Sequence, residues 1–243
     1  MSTLDTVKHY CDHDDSYKSH YGKYIQAYRP KKDADLENYL LNLIKPQVNE
    51  SILDCGCGFG SVSELLSSKC KNVTALNICK SQLPKSRNKV IYKHGDFDQI
   101  NTLFNDKLFD KIIFLETMGY TSNLTNLIYQ CKQALTHKGK IIMKELFNKE
   151  VSSHKILELQ TKQKDFVKSF YNYTILDKVT LVGELQACGI RLLNIQKPNF
   201  ECDWSSAFNF ERHSLPNHFP KIIHKNTQKD NLFECLEIIA EKT

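Results

Sequence analysis

An apolar run passes into alternating glycines at Ile52-Leu53-Asp54-Cys55-Gly56-Cys57-Gly58-Phe59-Gly60-Ser61, and a helical pattern of Val62, Leu65 and Leu66 follows at once. Strand, Asp-x-Gly-x-Gly-x-Gly loop and helix in that order bring bare main chain close to a ligand. Glycine tolerates φ > 0 and leaves no Cβ between backbone and ligand, and the helix start offers N–H groups without intrahelical partners. A nucleotide-like cofactor is implied. The dinucleotide fingerprint G-x-G-x-x-G would need glycine at position 61, where Ser61 stands, and no Gly-Lys-Ser/Thr of a phosphate loop occurs. Asp54, two residues before the first glycine, repels phosphate and suits a cationic amino group.

Around this loop, short apolar runs at Ser51–Asp54, Val73–Leu76, Val90–Tyr92, Lys111–Leu115 and Lys140–Leu146 alternate with stretches long enough for helices. Such alternation predicts a doubly wound α/β sheet, Rossmann-like and mostly parallel, with helices on both faces. Upstream, Leu36, Tyr39, Leu40, Leu43 and Ile44 recur at helical spacing behind an aspartate N-cap candidate, with Pro46 as the stop. Leu124–Leu135 reads as the best helix, with Gly139 just beyond its end. A further helix is expected near Lys178–Cys188, and strands at Ile190–Ile195 and Leu232–Ala240, the last one antiparallel. The 243 residues form one domain: an arm or lid over 1–32, a core over 33–200, an insertion serving as a lid over 201–228, and the last strand over 229–243. Hydrophobic residues at 41% and charged residues at 25% exclude a disordered or fibrous chain. No apolar window is long enough for a membrane span, and the first residues lack a signal-peptide core, so a soluble, cytoplasmic protein with reduced cysteines is expected. The net charge of +5 is spread among mixed charges and permits nucleic acid without indicating it.

On these residues the chain resembles the class I S-adenosylmethionine-dependent methyltransferases over roughly residues 35–195. The resemblance implies S-adenosyl-L-methionine as cofactor, with Asp54, Gly56, Cys57, Gly58 and Gly60 cradling its methionine half. Asn77, in Val73-Thr74-Ala75-Leu76-Asn77-Ile78, takes the place of the acidic residue that meets the ribose; its amide both accepts and donates, without the charge. Asp96, in His94-Gly95-Asp96-Phe97, would meet the adenine amino group, with Phe97 and Ile78 lining the ring. Gln82, one turn into a helix after the second strand, would contact the adenosine side. Leu135-Thr136-His137-Lys138-Gly139-Lys140 resembles the family's turn into the fifth strand, with one glycine kept.

Glu116 and Tyr120, in Leu115-Glu116-Thr117-Met118-Gly119-Tyr120, fall at the carboxyl end of the fourth strand, where open α/β sheets place ligand chemistry. They are the candidates for aligning the acceptor or removing its proton; the alternative is that Glu116 fixes the loop and Tyr120 packs. Tyr17, Tyr21 and Tyr24 of the arm either fold over the sulfonium, with Tyr21 against the cofactor, or pack as a lid by burial alone. No metal is expected: His9-x-Cys11-x-His13 with Asp14 and Asp15 lacks the usual ligand spacing, and Cys55-x-Cys57 has no second pair. Cys202–His213, with the only Trp, is a candidate cap for the acceptor pocket. The leading expectation is methyl transfer to a small-molecule acceptor. A protein or RNA methyltransferase and an inactive cofactor-binding protein are the alternatives; the Asp/Asn-Pro-Pro-Tyr/Phe motif of amino-directed DNA enzymes is replaced by Glu116-Thr117-Met118-Gly119.

Overall fold

Ile52 and Leu53 on one strand serve two different cores, and this two-sided burial explains why the strands read as continuous apolar runs. The computed structural model describes residues 7, 8, 10, 12, 15, 18, 19, 21–85, 89–200 and 232–243. The expected insertion over 201–228, Cys202–His213 within it, Tyr17, His9, Cys11, His13 and Asp14 lie outside the described residues.

The elements are α1 (Asp33–Ile44), β1 (Ser51–Cys55), α2 (Ser61–Ser67), β2 (Asn72–Asn77), β3 (Val90–His94), α3 (Ile100–Phe104), β4 (Phe109–Leu115), α4 (Leu124–Ala134), β5 (Leu135–Asn148), α5 (His154–Tyr171), α6 (Lys178–Ala187), β6 (Ile190–Gln196) and β7 (Phe233–Lys242). One sheet orders the strands β3-β2-β1-β4-β5-β7-β6. β1 to β5 pair in parallel, and β7 runs antiparallel to both β5 and β6. The strand order reverses between β1 and β4, so the loops leaving those two strands flank the crevice where such sheets bind ligands.

Alternation along β4 and β5 assigns each face. Ile112, Phe114, Ile141 and Met143 join the core under α4 and α6, while Ile113, Leu115 and Ile142 join the core under α1 and α2. Leu36 and Leu40 of α1 are fully buried there, and each such side chain contributes roughly 1.5–3 kcal/mol. Continuing the alternation puts Lys144 on the α1 face and Glu145 on the α6 face, two charges in a buried strand.

Four differences from the sequence reading have physical causes. α1 is not capped by an aspartate: Lys32 is the N-cap, and Asp33 and Asp35 sit in the first turn, where they face the positive end of the helix dipole. α4 stops at Ala134 and β5 begins at Leu135 without a loop; Lys138, at φ 60°, supplies the left-handed residue expected of Gly139, and the β4–β5 register shifts there. The polar stretch after Glu150 is the 18-residue helix α5. Its inward side combines Ile156, Leu159, Phe166 and Val167 with the buried Gln160 and Gln163, and Gln160 Nε2 donates to the Lys149 and Leu232 carbonyls (2.9 and 2.7 Å) and so holds the entry to β7. Gln82 lies on a single 3₁₀ turn, Lys80–Gln82, rather than within a helix.

Candidate active site

Gly56, Gly58 and Gly60 all have positive φ (80°, 54° and 80°), for different reasons. A Cβ on Gly56 would lie 2.6 Å from the Thr117 side chain, and one on Gly60 would lie 2.6 Å from the Tyr92 ring. A Cβ on Gly58 would meet nothing within 4 Å, so this glycine faces open space. The loop is tied at both edges. The Gly56 and Cys57 N–H groups donate to the Leu76 carbonyl of β2 (2.8 and 3.1 Å), and Thr117 Oγ1 donates to the Cys55 carbonyl (2.7 Å). Among the described residues nothing accepts from the Gly58 and Phe59 N–H groups. Asp54 is buried and accepts from Ser63 Oγ at 2.5 Å; burial pushes its pKa up to about 6 against the pull of that bond. Burial likewise raises the Cys57 thiol well above its ordinary value.

At the end of β2, Asn77 donates through Nδ2 to the Cys79 carbonyl (3.1 Å) and to Gln82 Oε1 (2.9 Å). The structure thus brings Asn77 and Gln82 together, both buried, and leaves Asn77 Oδ1 as the atom to meet a ligand hydroxyl. His94 Nε2 donates to the Ile78 carbonyl at 3.0 Å. Asp96 accepts from the Asp98 N–H (2.9 Å), and Phe97 packs edge-on to Phe114 with centroids 5.7 Å apart. Asp98 in turn accepts from Thr121 Oγ1 (2.5 Å), Ser122 N (2.7 Å) and Ser122 Oγ (2.6 Å), which links this edge to the loop after β4.

That loop is held by side chains. Glu116 adopts φ 62°, a conformation costly for a residue with a Cβ. Its carboxylate accepts from Ala27 N (2.6 Å), Tyr28 N (3.1 Å) and Lys144 Nζ (2.6 Å). Lys144, fully buried, also donates to Gln26 Oε1 and the Tyr28 carbonyl, both at 2.5 Å. Residues 26–28 of the arm are therefore clamped onto the ends of β4 and β5. On the other face Glu145, fully buried, accepts from Thr117 N (2.7 Å), Met118 N (2.8 Å) and the Tyr173 hydroxyl (2.7 Å). Tyr120 packs edge-on against Tyr173 (4.9 Å between centroids) and Tyr10 (5.6 Å), and its hydroxyl meets that of Tyr10.

The arm splits the expectations for its tyrosines. Tyr24 does not face the cofactor: it is buried under α1, and its hydroxyl donates to Glu37 Oε1 at 2.7 Å, because the ring completes the apolar core there. Tyr21 is half-buried, its carbonyl accepting from Arg29 Nη1 at 3.3 Å. Ser61 Oγ donates to the Lys23 carbonyl (2.5 Å) and Lys18 Nζ lies 4.1 Å over the Phe59 ring, so the arm also touches the glycine loop.

This donor set fits S-adenosylmethionine: open space at Gly58, two unused N–H groups for a carboxylate, Asp54 for an ammonium, and Asn77 Oδ1 for a hydroxyl. Residues 53–143 match the pattern of a family described as a methyltransferase domain. The chain is 30% identical over 116 residues to the ubiquinone biosynthesis O-methyltransferase of Rickettsia typhi, covering 43% of this chain and 46% of the relative. Over residues 53–143 the chain carries a methyltransferase domain of the S-adenosylmethionine-dependent class I type. It is also 30% identical over 127 residues to the ribosomal RNA small subunit methyltransferase A of Mycoplasma mobile, covering 50% and 48%. The chain thus spans about half the length of the curated relatives it matches. Among solved structures, the cyclopropane synthase MmaA2 of Mycobacterium tuberculosis shares the methyltransferase fold at a TM-score of 0.76 and 11% identity, covering 100% of this chain and 99% of that one. No helix among the described residues is long and apolar enough to cross a membrane.

The sequence reading passed over Lys144, Glu145, Asp98, Tyr173 and Gln26 in this methyltransferase domain. A signal was present for two of them: Lys144-Glu145 interrupts the apolar run Ile141–Phe147 near the carboxyl end of a central strand, where a buried charge has to have a partner.

Proposed function

We propose that this domain transfers the methyl group of S-adenosylmethionine to a small-molecule acceptor. The clamp of arm residues 26–28 on Glu116 and Lys144 carries this reading, because it lays arm backbone against the carboxyl ends of β4 and β5, beside the loop that bears Tyr120. The match to a ubiquinone biosynthesis O-methyltransferase supports it.

The cofactor supplies an electrophilic methyl group on a sulfonium centre. The protein's part is to align the acceptor with that group and to take up any proton the acceptor loses. Tyr120 is the hydroxyl proposed to meet the acceptor. Glu116, whose carboxylate is occupied by two arm amides and Lys144, is proposed to act by holding the arm rather than by taking the proton. Tyr21 and Phe59 sit where the arm crosses the glycine loop and are proposed to close over the methionine half.

The test is a screen of small amines, phenols, carboxylic acids and prenyl compounds with methyl-labelled cofactor, run beside ribosomal RNA at low salt. Label in a small acceptor, lowered about tenfold or more by Tyr120→Phe with cofactor affinity kept, is the expected result. Label in RNA alone, with salt-sensitive binding, would move the acceptor to the class of the Mycoplasma relative.

A further inference from the structure

Glu145 stands outside the cofactor contacts described above, yet it is a fully buried and fully engaged carboxylate on the α6 face. Three donors converge on it: the consecutive N–H groups of Thr117 and Met118, and the Tyr173 hydroxyl. These donors tie two separate parts of the chain, the turn after β4 and the segment before α6, to the end of β5. The Tyr173 ring then touches Tyr120 edge-on, and Gly119 lies so close beneath it that an added Cβ would be 2.5 Å from the ring and from the Thr174 carbonyl. The Thr174 N–H closes the same contact by donating to the Gly119 carbonyl at 2.8 Å. The short turn Met118–Tyr120 is therefore gripped from below by Glu145 and from the side by Tyr173.

We infer that Glu145 is a positioning residue for the methyl transfer: its carboxylate fixes the Thr117–Met118 backbone and the Tyr173 ring, and through them aims Tyr120 at the acceptor. This inference rests on the reading of Tyr120 given above. The two N–H donors need oxygen lone pairs, and a carboxylate offers them on both oxygens, whereas a carboxylic acid must also place a proton. Grip on the turn is then firmest when Glu145 is ionised.

Burial opposes ionisation and pushes the Glu145 pKa up to about 7, with the three hydrogen bonds pulling the other way and the nearby Glu116 charge adding to the rise. The groups facing it are few. β4 brings Glu116, itself paired with Lys144, whose ammonium lies on the α1 face of the sheet. The segment before α6 brings Tyr173, the turn brings the neutral Thr117 and Met118, and β7 sets apolar Leu236 opposite. Ionisation of Glu145 near neutral pH should therefore be visible at Tyr120.

The experiment labels the full chain with 3-fluorotyrosine and follows the Tyr120 resonance, assigned with Tyr120→Phe, between pH 5.5 and 8.5. The wild-type resonance should titrate with a midpoint near 7. In Glu145→Gln, which keeps the shape and has no proton to lose, it should be flat. In Tyr173→Phe the midpoint should move upward, since the lost phenol donor favoured the carboxylate; this variant also serves should Glu145→Gln fail to fold. A resonance that is flat in the wild type, or that titrates equally in Glu145→Gln, overturns the inference. Affinity for S-adenosylhomocysteine, measured by calorimetry, should change less than about threefold in Glu145→Gln. A loss above tenfold would instead place Glu145 in the cofactor site and overturn the inference. Absence of S-adenosylhomocysteine binding by the wild type would defeat the functional reading, a result separate from the titration.

Discussion

The two loops that flank the switch point are built by opposite means. After β1, the proposed ligand-facing surface is backbone: three glycines with positive φ, two N–H groups that find no acceptor among the described residues, and one buried carboxylate. After β4, the backbone is itself strained at Glu116, and a network of buried charges from distant parts of the chain keeps it in place. A backbone site is specified locally and loses binding when changed. A side-chain site is specified globally and loses stability when changed.

The sharpest way to break that contrast is Lys144→Ala. Removing the ammonium leaves the Glu116 carboxylate, only 11% exposed, without its cation and removes the bonds to Gln26 Oε1 and the Tyr28 carbonyl, so that the Glu116 carboxylate alone holds the arm. A stability loss of about 3–5 kcal/mol is expected, read from denaturant unfolding. A variant as stable as the wild type would show that the clamp is dispensable.

A smaller effect tests the glycine side through pH. Asp54 has a folded pKa near 6 against 3.8 for the ordinary carboxyl, so the folded state holds a proton that the unfolded chain has lost. Its contribution to the stability of the cofactor-free domain therefore falls as pH rises from about 4 to about 6. A cofactor ammonium favours the carboxylate, which reverses the sign for binding. Affinity for S-adenosylhomocysteine should weaken about fourfold between pH 7.5 and 5.5, with proton release at the lower pH. Asp54→Asn should abolish this dependence; its persistence would assign it elsewhere.

Asn77→Asp should have the smallest effect, within about threefold in cofactor affinity. A carboxylate accepts a stronger bond from a ribose hydroxyl but loses the donor that now reaches the Cys79 carbonyl. A tenfold loss would mean that the Nδ2 contacts to Cys79 and Gln82 shape the site.

The same contrast explains what could be read before any coordinates. The mostly parallel sheet follows from periodicity, because a sheet buried on both faces writes itself as apolar runs, and the antiparallel last strand from the resemblance; the strand order is seen only in the fold. The sequence places Asp54 before the glycines and Asn77 and Gln82 at and after the end of β2, although the hydrogen bond joining the last two was not legible. Helix α5 escaped although Ile156, Leu159, Phe166 and Val167 recur at helical spacing, because Lys residues and buried glutamines between them make the stretch read as polar. Lys144 and Glu145 escaped because adjacent residues of a strand point to opposite faces, so each belongs to a different network assembled only by folding. Of the two readings of Tyr24, folding over the sulfonium or packing by burial alone, the fold bears out burial, in the core under α1.

Gly58 tests the placement of the cofactor on the glycine loop most directly. A Cβ there meets no protein atom within 4 Å, so a side chain at this position intrudes on ligand rather than on the fold. Its φ of 54° adds only about 1–2 kcal/mol of backbone strain. Calorimetric titration of S-adenosylhomocysteine into folded Gly58→Val should give an affinity at least tenfold weaker than wild type. Equal affinity in the two proteins would contradict the placement of the cofactor on this loop.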